Sequence, residues 1–221
     1  EMDQSEVEHY TSQGYLLLVF GKYLGEFQET LAAEVQPLGY ILLWNPIRKE
    51  AKATFEYFAE QNVAIKVISG DNPLTVSNVA QAAGIIGAEN YVDARTLTTM
   101  EAQTEALEKY TVFGRVTPEQ KKQFVLLLKK LDHTVAMTGD GVNDILAMKE
   151  ADCSIAMASG NQATAQASQV VLLDSDFSTM PEVVFEGRQV VNNIERSSSL
   201  FLVKNIFSLL MSVFAMIFAV T

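Results

Sequence analysis

Apolar residues fall into short runs that alternate with amphipathic stretches along most of the chain. Tyr15 to Phe20 and Gly39 to Trp44 read as two strands. Gly21, Gly25, Pro37 and Gly39 punctuate the stretch between them and predict a polar connection. From Glu50 to Gln61, Ala51, Phe55 and Phe58 recur at i, i+4 and i+7, the spacing of one helix face. Ala64 to Ile68 predicts the next strand, and Pro73 opens a helix that runs to about Ala83 and stops at Gly84. Tyr91 to Val92 and Thr111 to Gly114 read as short strands either side of a polar helix over Glu101 to Lys109. Thr117 with Gln120 makes a capping box, Pro118 takes the first helical position, and Phe124, Leu127, Leu128 and Leu131 form the buried stripe of the helix that follows. Thr134 to Met137, Cys153 to Ala156 and Val170 to Leu173 complete the strands, with a helix start over Ile145 to Lys149.

Strands separated by helices imply an α/β fold, with a mainly parallel Rossmann-like sheet flanked by helices. Ligands of such sheets sit at the carboxyl ends of the strands. Beyond the sheet, Met180 to Ser199 reads as a long polar helix. It passes without Pro or Gly into Leu200 to Val220, 21 residues whose one charge is Lys204. A bilayer span needs roughly 20 apolar residues. A buried core helix is the alternative, and it sits badly with a run that is apolar on every face.

Three turns at the strand ends carry candidate chemistry. Thr138 to Asp144 reads Thr-Gly-Asp-Gly-Val-Asn-Asp between a strand and a helix start. Its glycines, Gly139 and Gly141, allow a sharp turn and close approach to a ligand, while Asp140 and Asp144 offer hard carboxylate oxygens suited to Mg²⁺ beside a phosphate. Gly-Asp and Asn-Asp also make ordinary turns, so the motif alone leaves that reading open. Ser69-Gly70-Asp71 ends the strand before Pro73, with Asn72 placed to cap the helix, so that the Ser69 hydroxyl and the Gly70 amide can face a phosphate. Lys121 lies one turn inside its helix and can lean back over the strand ends as a point charge for a phosphoryl oxygen, whereas its neighbour Lys122 must face elsewhere. Arg48 follows Asn45-Pro46 at a predicted hinge, where it either meets a phosphate or stays a solvated charge.

The net charge of -11 argues against nucleic acid, which calls for a basic stripe. Cys153 is the single cysteine, so a Cys-rich metal site is excluded, and neither His9 nor His133 has a partner at metal-ligand spacing. The chain starts at Glu1 and ends in apolar residues, so a fragment of a longer protein is expected.

The residues from Asn45 to about Ser199, with the apolar helix after them, resemble the phosphorylation domain of P-type cation-transporting ATPases, members of the haloacid dehalogenase superfamily. The resemblance is carried by Thr138 to Asp144, by the Arg-Val-x-Pro-x-x-Lys stretch ending at Lys121, and by Val171 to Ser178. It implies that Asp140, with Asp144, holds Mg²⁺, that Asn143 and Asp144 order the phosphate site, and that Lys121 neutralises an aspartyl phosphate. Ser69 and Gly70, in a turn completed by Asp71, would bind the transferred phosphoryl group, and ATP would be the substrate. Residues 1–44 would trail from a nucleotide-binding domain, 45–199 would form the phosphorylation domain and stalk, and 200–221 would begin a membrane helix. Residues 1–199 would be cytosolic, in a multi-pass protein of the cell membrane.

Three departures accompany the resemblance. The Asp-Lys-Thr-Gly-Thr stretch that bears the family's nucleophile does not occur in the 221 residues. Ser69 stands where the family has threonine, which keeps the hydroxyl. Asn45 stands where an aspartate opens the Asp-Pro-x-Arg hinge. The alternatives are a soluble phosphatase of the same superfamily and a non-catalytic module. The absence of Cys-Pro-Cys-like ligands points to a hard cation, and resemblance to bacterial pumps leans to calcium.

Overall fold

In the computed structural model, residues 10, 15–25, 35–43 and 46–218 are described. The expectations for Trp44 and Asn45, and most of those for residues 1–14, fall outside them. Strand β1 (Leu16–Tyr23) pairs antiparallel with β2 (Val35–Leu43), Leu17 opposite Leu42 and Tyr23 opposite Val35. The ladder is longer than the apolar runs suggest, because Gly21, Pro37 and Gly39 lie within it rather than in a connection. A two-stranded ladder has two open edges, which is where a proline without an N–H is tolerated. The register slips between Phe20 and Gly21, opposite that proline.

Helix α1 (Ala51–Glu60) follows, and Phe55 and Phe58 from its inner face pack on Phe177 with ring centroids 6.1 and 5.7 Å apart. Strands β3 (Val67–Ile68), β4 (Tyr91–Asp93) and β5 (Val112–Gly114) form a parallel sheet in the order β3-β5-β4. The expected strand over Ala64 to Ile68 shortens to two residues, since only Val67 and Ile68 pair with β5. Helices α2 (Pro73–Ala82), α3 (Met100–Lys109) and α4 (Pro118–Lys130) accompany this sheet. Two-residue alternation sends the fully buried Val112 and Phe113 to opposite faces. Val112 joins Ala80, Ile85 and Ala88, whereas Phe113 joins Leu107, Phe124 and Leu127. Both faces of β5 are therefore covered, as a parallel sheet requires. The capping box of Thr117 and Gln120 forms as its spacing predicts, with Gln120 N donating to Thr117 Oγ1 at 3.2 Å and Thr117 N to Gln120 Oε1 at 3.1 Å.

A second parallel sheet holds β6 (Ala136–Gly139), β7 (Cys153–Met157) and β8 (Val170–Leu172) in chain order, with α5 (Ile145–Glu150) and α6 (Gln162–Ala167) between them. Helix α6 was not foreseen in the sequence, although Asn161 caps it by accepting from Ala163 N at 2.8 Å. Among the described residues, hydrogen-bonded pairing does not pass from β3 to β6, so the parallel strands form two three-stranded half-sheets. Helix α4 ties the halves together through Lys122 with Glu150 at 3.1 Å and Lys129 with Asp152 at 2.9 Å. The Val135 amide and Lys129 hold the Asp152 carboxyl below the usual carboxylate range.

Residues from Thr179 onward form a unit of their own. It is helix α7 (Met180–Phe218), 39 residues without a break at the expected boundary of Ser199 and Leu200. At 1.5 Å per residue it is about 58 Å long, roughly twice the hydrocarbon thickness of a bilayer. It is long and apolar enough to cross a membrane, and its apolar window is unburied.

Candidate functional site

The turn after β3 is built by its own side chains. Ser69 Oγ accepts from Asp71 N at 3.1 Å and donates to Asp71 Oδ2 at 3.3 Å, while Asn72 Oδ1 accepts from Leu74 N at 2.9 Å and caps α2. Main-chain bonds fasten this turn to the one after β5: Val116 N donates to Ser69 O at 3.0 Å and Arg115 N to Asp71 O at 2.8 Å. Gly114 makes that approach feasible, because a Cβ there would lie 2.4 Å from Pro73 Cα. Arg115 takes a left-handed φ of 54° and reaches Asp93, at the end of β4, with Nη1 3.2 Å from Oδ2. Gly70 is exposed, with nothing within 4 Å of where a side chain would begin.

Lys121 leans from the first turn of α4 to the turn after β6, as the direction of helical side chains predicts. Its Nζ lies 2.7 Å from Asp144 Oδ1, and the two side chains are only 13% and 11% exposed. Lys122 points elsewhere, to Glu150. Asp144 also lies close behind Gly139, where a Cβ would stand 2.5 Å from the Asp144 Cβ. Gly141 N donates a long 3.4 Å bond to Asp144 Oδ2. Each oxygen of Asp144 thus has a hydrogen-bond partner within the protein. Asp140 and Asn143 are exposed, and Asp144 is buried behind them.

The turn fits a hard divalent cation held at Asp140. Among the described residues no three His, Cys, Asp or Glu side chains converge into a ready-made cage. Mg²⁺ asks for none, since it keeps waters and is held through one or two carboxylates together with substrate phosphate oxygens. One exposed carboxylate in a glycine-flanked turn would be such a donor.

Arg48 is not among these groups. Its Nη1 lies 3.2 Å from Asp176 Oδ1, and the arginine side chain is 61% exposed. The Ser178 main-chain and side-chain hydrogen bonds, and then Arg48, hold the Asp176 carboxyl below its usual range. A cavity of about 380 Å³ lies at the amino ends of β3 and β5, away from the predicted residues, lined by Phe55, Ala59, Ile65, Lys66 and Thr111 among others. There Lys66 Nζ donates to Tyr110 O at 2.6 Å, and burial lowers its pKa. Sequence reasoning missed one contributor to the rim. Ser159-Gly160-Asn161 lies between β7 and α6, a further strand-turn-helix whose Asn-capped start was a legible signal.

Comparison with known proteins follows the same lines. The family model for haloacid dehalogenase-like hydrolases matches residues 7–152. A "Probable cation-transporting ATPase exp7" of Streptococcus pneumoniae is 51% identical over 181 residues, 82% of this chain and 23% of that protein. A "Calcium-transporting ATPase CtpE" of Mycobacterium tuberculosis is 45% identical over 210 residues, 94% of this chain and 26% of that protein. The chain thus spans about a quarter of the length of these curated relatives. The crystal structure of a zinc-transporting PIB-type ATPase in its E2.Pi state superposes with a TM-score of 0.63 at 21% identity, covering 89% of this chain and 27% of that one, which speaks to the fold alone. With the family model covering most of its residues, the chain belongs to the haloacid dehalogenase-like hydrolase family.

Proposed function

We propose that the chain is the phosphoryl-handling part of an ATP-driven cation pump, which couples formation and hydrolysis of an aspartyl phosphate to transport across a membrane. The observation that carries this reading is the Lys121–Asp144 pair at 2.7 Å, because it fixes an ammonium at the carboxyl rim of two parallel half-sheets. An ammonium has three donors. One is spent on Asp144, which leaves the others for anionic phosphoryl oxygens, and the low exposure of the pair strengthens their pull. Ser69 Oγ and the Gly70 amide would add neutral donors from the neighbouring turn, with Asp71 holding the serine in place. Asp140 would hold Mg²⁺, which when bound supplies positive charge against the phosphate oxygens. Asn143, exposed beside it, would orient the same group.

The nucleophilic aspartate has no motif of its own in these residues. We assign it to a further strand of the longer protein, between β3 and β6. Those strands carry Ser69 and Asp140, and each has an edge with no hydrogen-bonded strand among the described residues. Helix α7 supports a pump over a soluble phosphatase of the same superfamily, since such an enzyme has no use for an exposed apolar helix of this length. ATP would be the substrate and a bilayer the surroundings, with the residues ahead of the span in the cytosol of a multi-pass protein. Calcium is the cation proposed, after the name of the mycobacterial relative.

The test is phosphorylation of the full-length protein with radiolabelled ATP, each cation supplied in turn. The expected product is an acid-stable, hydroxylamine-labile phosphoprotein whose level responds to calcium. Labelling indifferent to every cation removes the pump reading. A calcium-silent response to another ion removes only the choice of cation.

A further inference from the structure

Asp140 is exposed, and something other than burial must hold its carboxylate at the rim. The loop between β7 and α6 supplies the restraint. Gly160 packs flat on the Asp140 main chain: a Cβ there would stand 2.5 Å from Asp140 O, 3.0 Å from its Cα and 3.1 Å from its carbonyl carbon. All three are backbone atoms, which cannot rotate aside as a flexible side chain would. The next residue completes the contact, since Asn161 N donates to Asp140 O at 2.8 Å. The loop is itself anchored on both sides. Asn161 Oδ1 caps α6 through Ala163 N at 2.8 Å, and Ser159 N donates to Ser175 Oγ at 2.7 Å.

We propose that Gly160 and the Asn161 amide are positioning elements for Asp140, setting the place of its carboxylate by clamping its peptide from behind. The inference rests on Asp140 being the metal carboxylate of the proposed function. A side chain at residue 160 pushes the Asp140 carbonyl outward and swings the carboxylate off the rim. Asn161 has φ −69°, a value that proline also adopts, so Asn161→Pro keeps the local φ, removes the donor and sets the ring Cδ against the carbonyl that the N–H held at 2.8 Å. Asn161→Ala removes the cap and keeps the donor.

The experiment uses the full-length protein in detergent, with Mn²⁺ and inorganic phosphate as the probe, followed by water-proton relaxation. Backbone amide shifts of Gly139 to Asp144 are recorded beside it. Gly160→Ala is expected to weaken Mn²⁺ by about tenfold, the usual loss when a group that orients a metal ligand is altered. Asn161→Pro is expected to bind clearly more weakly than Asn161→Ala, and the amide shifts of Gly139 to Asp144 are expected to move in Gly160→Ala and Asn161→Pro. If Asp140→Asn weakens Mn²⁺ while Gly160→Ala and Asn161→Pro bind as wild type, the positioning role is wrong and the metal carboxylate stands. If wild type binds no Mn²⁺, or Asp140→Asn binds equally well, the metal assignment is wrong. The clamp is then judged by the shifts, and unmoved amides at Gly139 to Asp144 overturn it. Should Gly160→Ala fail to fold, the comparison of Asn161→Pro with Asn161→Ala decides by the same readouts.

Discussion

Lys121 and Asp144 offer the sharpest test of how the site is held together, because each is nearly buried and each faces the other at 2.7 Å. Lys121→Met keeps the length of the side chain and removes the charge. Asp144 is then left with the long bond from Gly141 N at 3.4 Å and little water. Removing one member of a buried pair costs about 3–5 kcal/mol, chiefly because the survivor is left uncompensated. The low end, about 3 kcal/mol, applies here, since each side chain keeps some access to solvent. For a chain of this size, about 3 kcal/mol lowers Tm by roughly 6–12 °C. Asp144→Asn should cost a similar amount, by stranding the ammonium. The double variant removes both charges and should lose much less than the sum, with a coupling of at least about 1.5 kcal/mol. The assay is chemical denaturation of the four proteins in detergent, followed by near-ultraviolet circular dichroism. Strict additivity would show that the two charges do not support one another, and the account of an ammonium fixed by Asp144 would fail with it.

Other expectations follow from the same contacts. Gly114→Ala sets a Cβ 2.4 Å from Pro73 Cα, and this overpacking of backbone on backbone should cost about 1–3 kcal/mol in a thermal melt. Phe177→Ala removes the ring that Phe55 and Phe58 share; as Phe177 is only partly buried, about 1–2 kcal/mol is expected by the same measurement. The Asp176 carboxyl has its pKa lowered in the folded chain, so what it contributes is present above the unfolded carboxylate value and is lost as pH falls through the folded one. Nuclear magnetic resonance of the Arg48 guanidinium should therefore show the ion pair intact at neutral pH and opening only in acid below the usual carboxylate range. Asp176→Asn should abolish that transition. An Arg48 signal already free at pH 7 would contradict the geometry.

Several features of this protein can be read from residues a few positions apart. The capping box at Thr117 and Gln120, the Asn72 cap ahead of Pro73, and the Thr138 to Asp144 turn all form where the sequence puts them, since each closes within one turn of chain. Helical direction and spacing chose Lys121 over Lys122, and an uninterrupted apolar run predicted α7. What remained illegible depends on residues that meet only when the chain has folded. No local rule says that Asp144 is paired with Lys121, 23 positions away. Nor does one say that Arg48 turns to Asp176, or that Gly160 is a glycine because the Asp140 peptide lies 2.5 Å from its missing Cβ. The division into two half-sheets is likewise a matter of which strand edges meet, which periodicity cannot express. Caps and turns are settled by bonds along the chain, whereas a partner for a charge or a neighbour for a backbone is settled by packing.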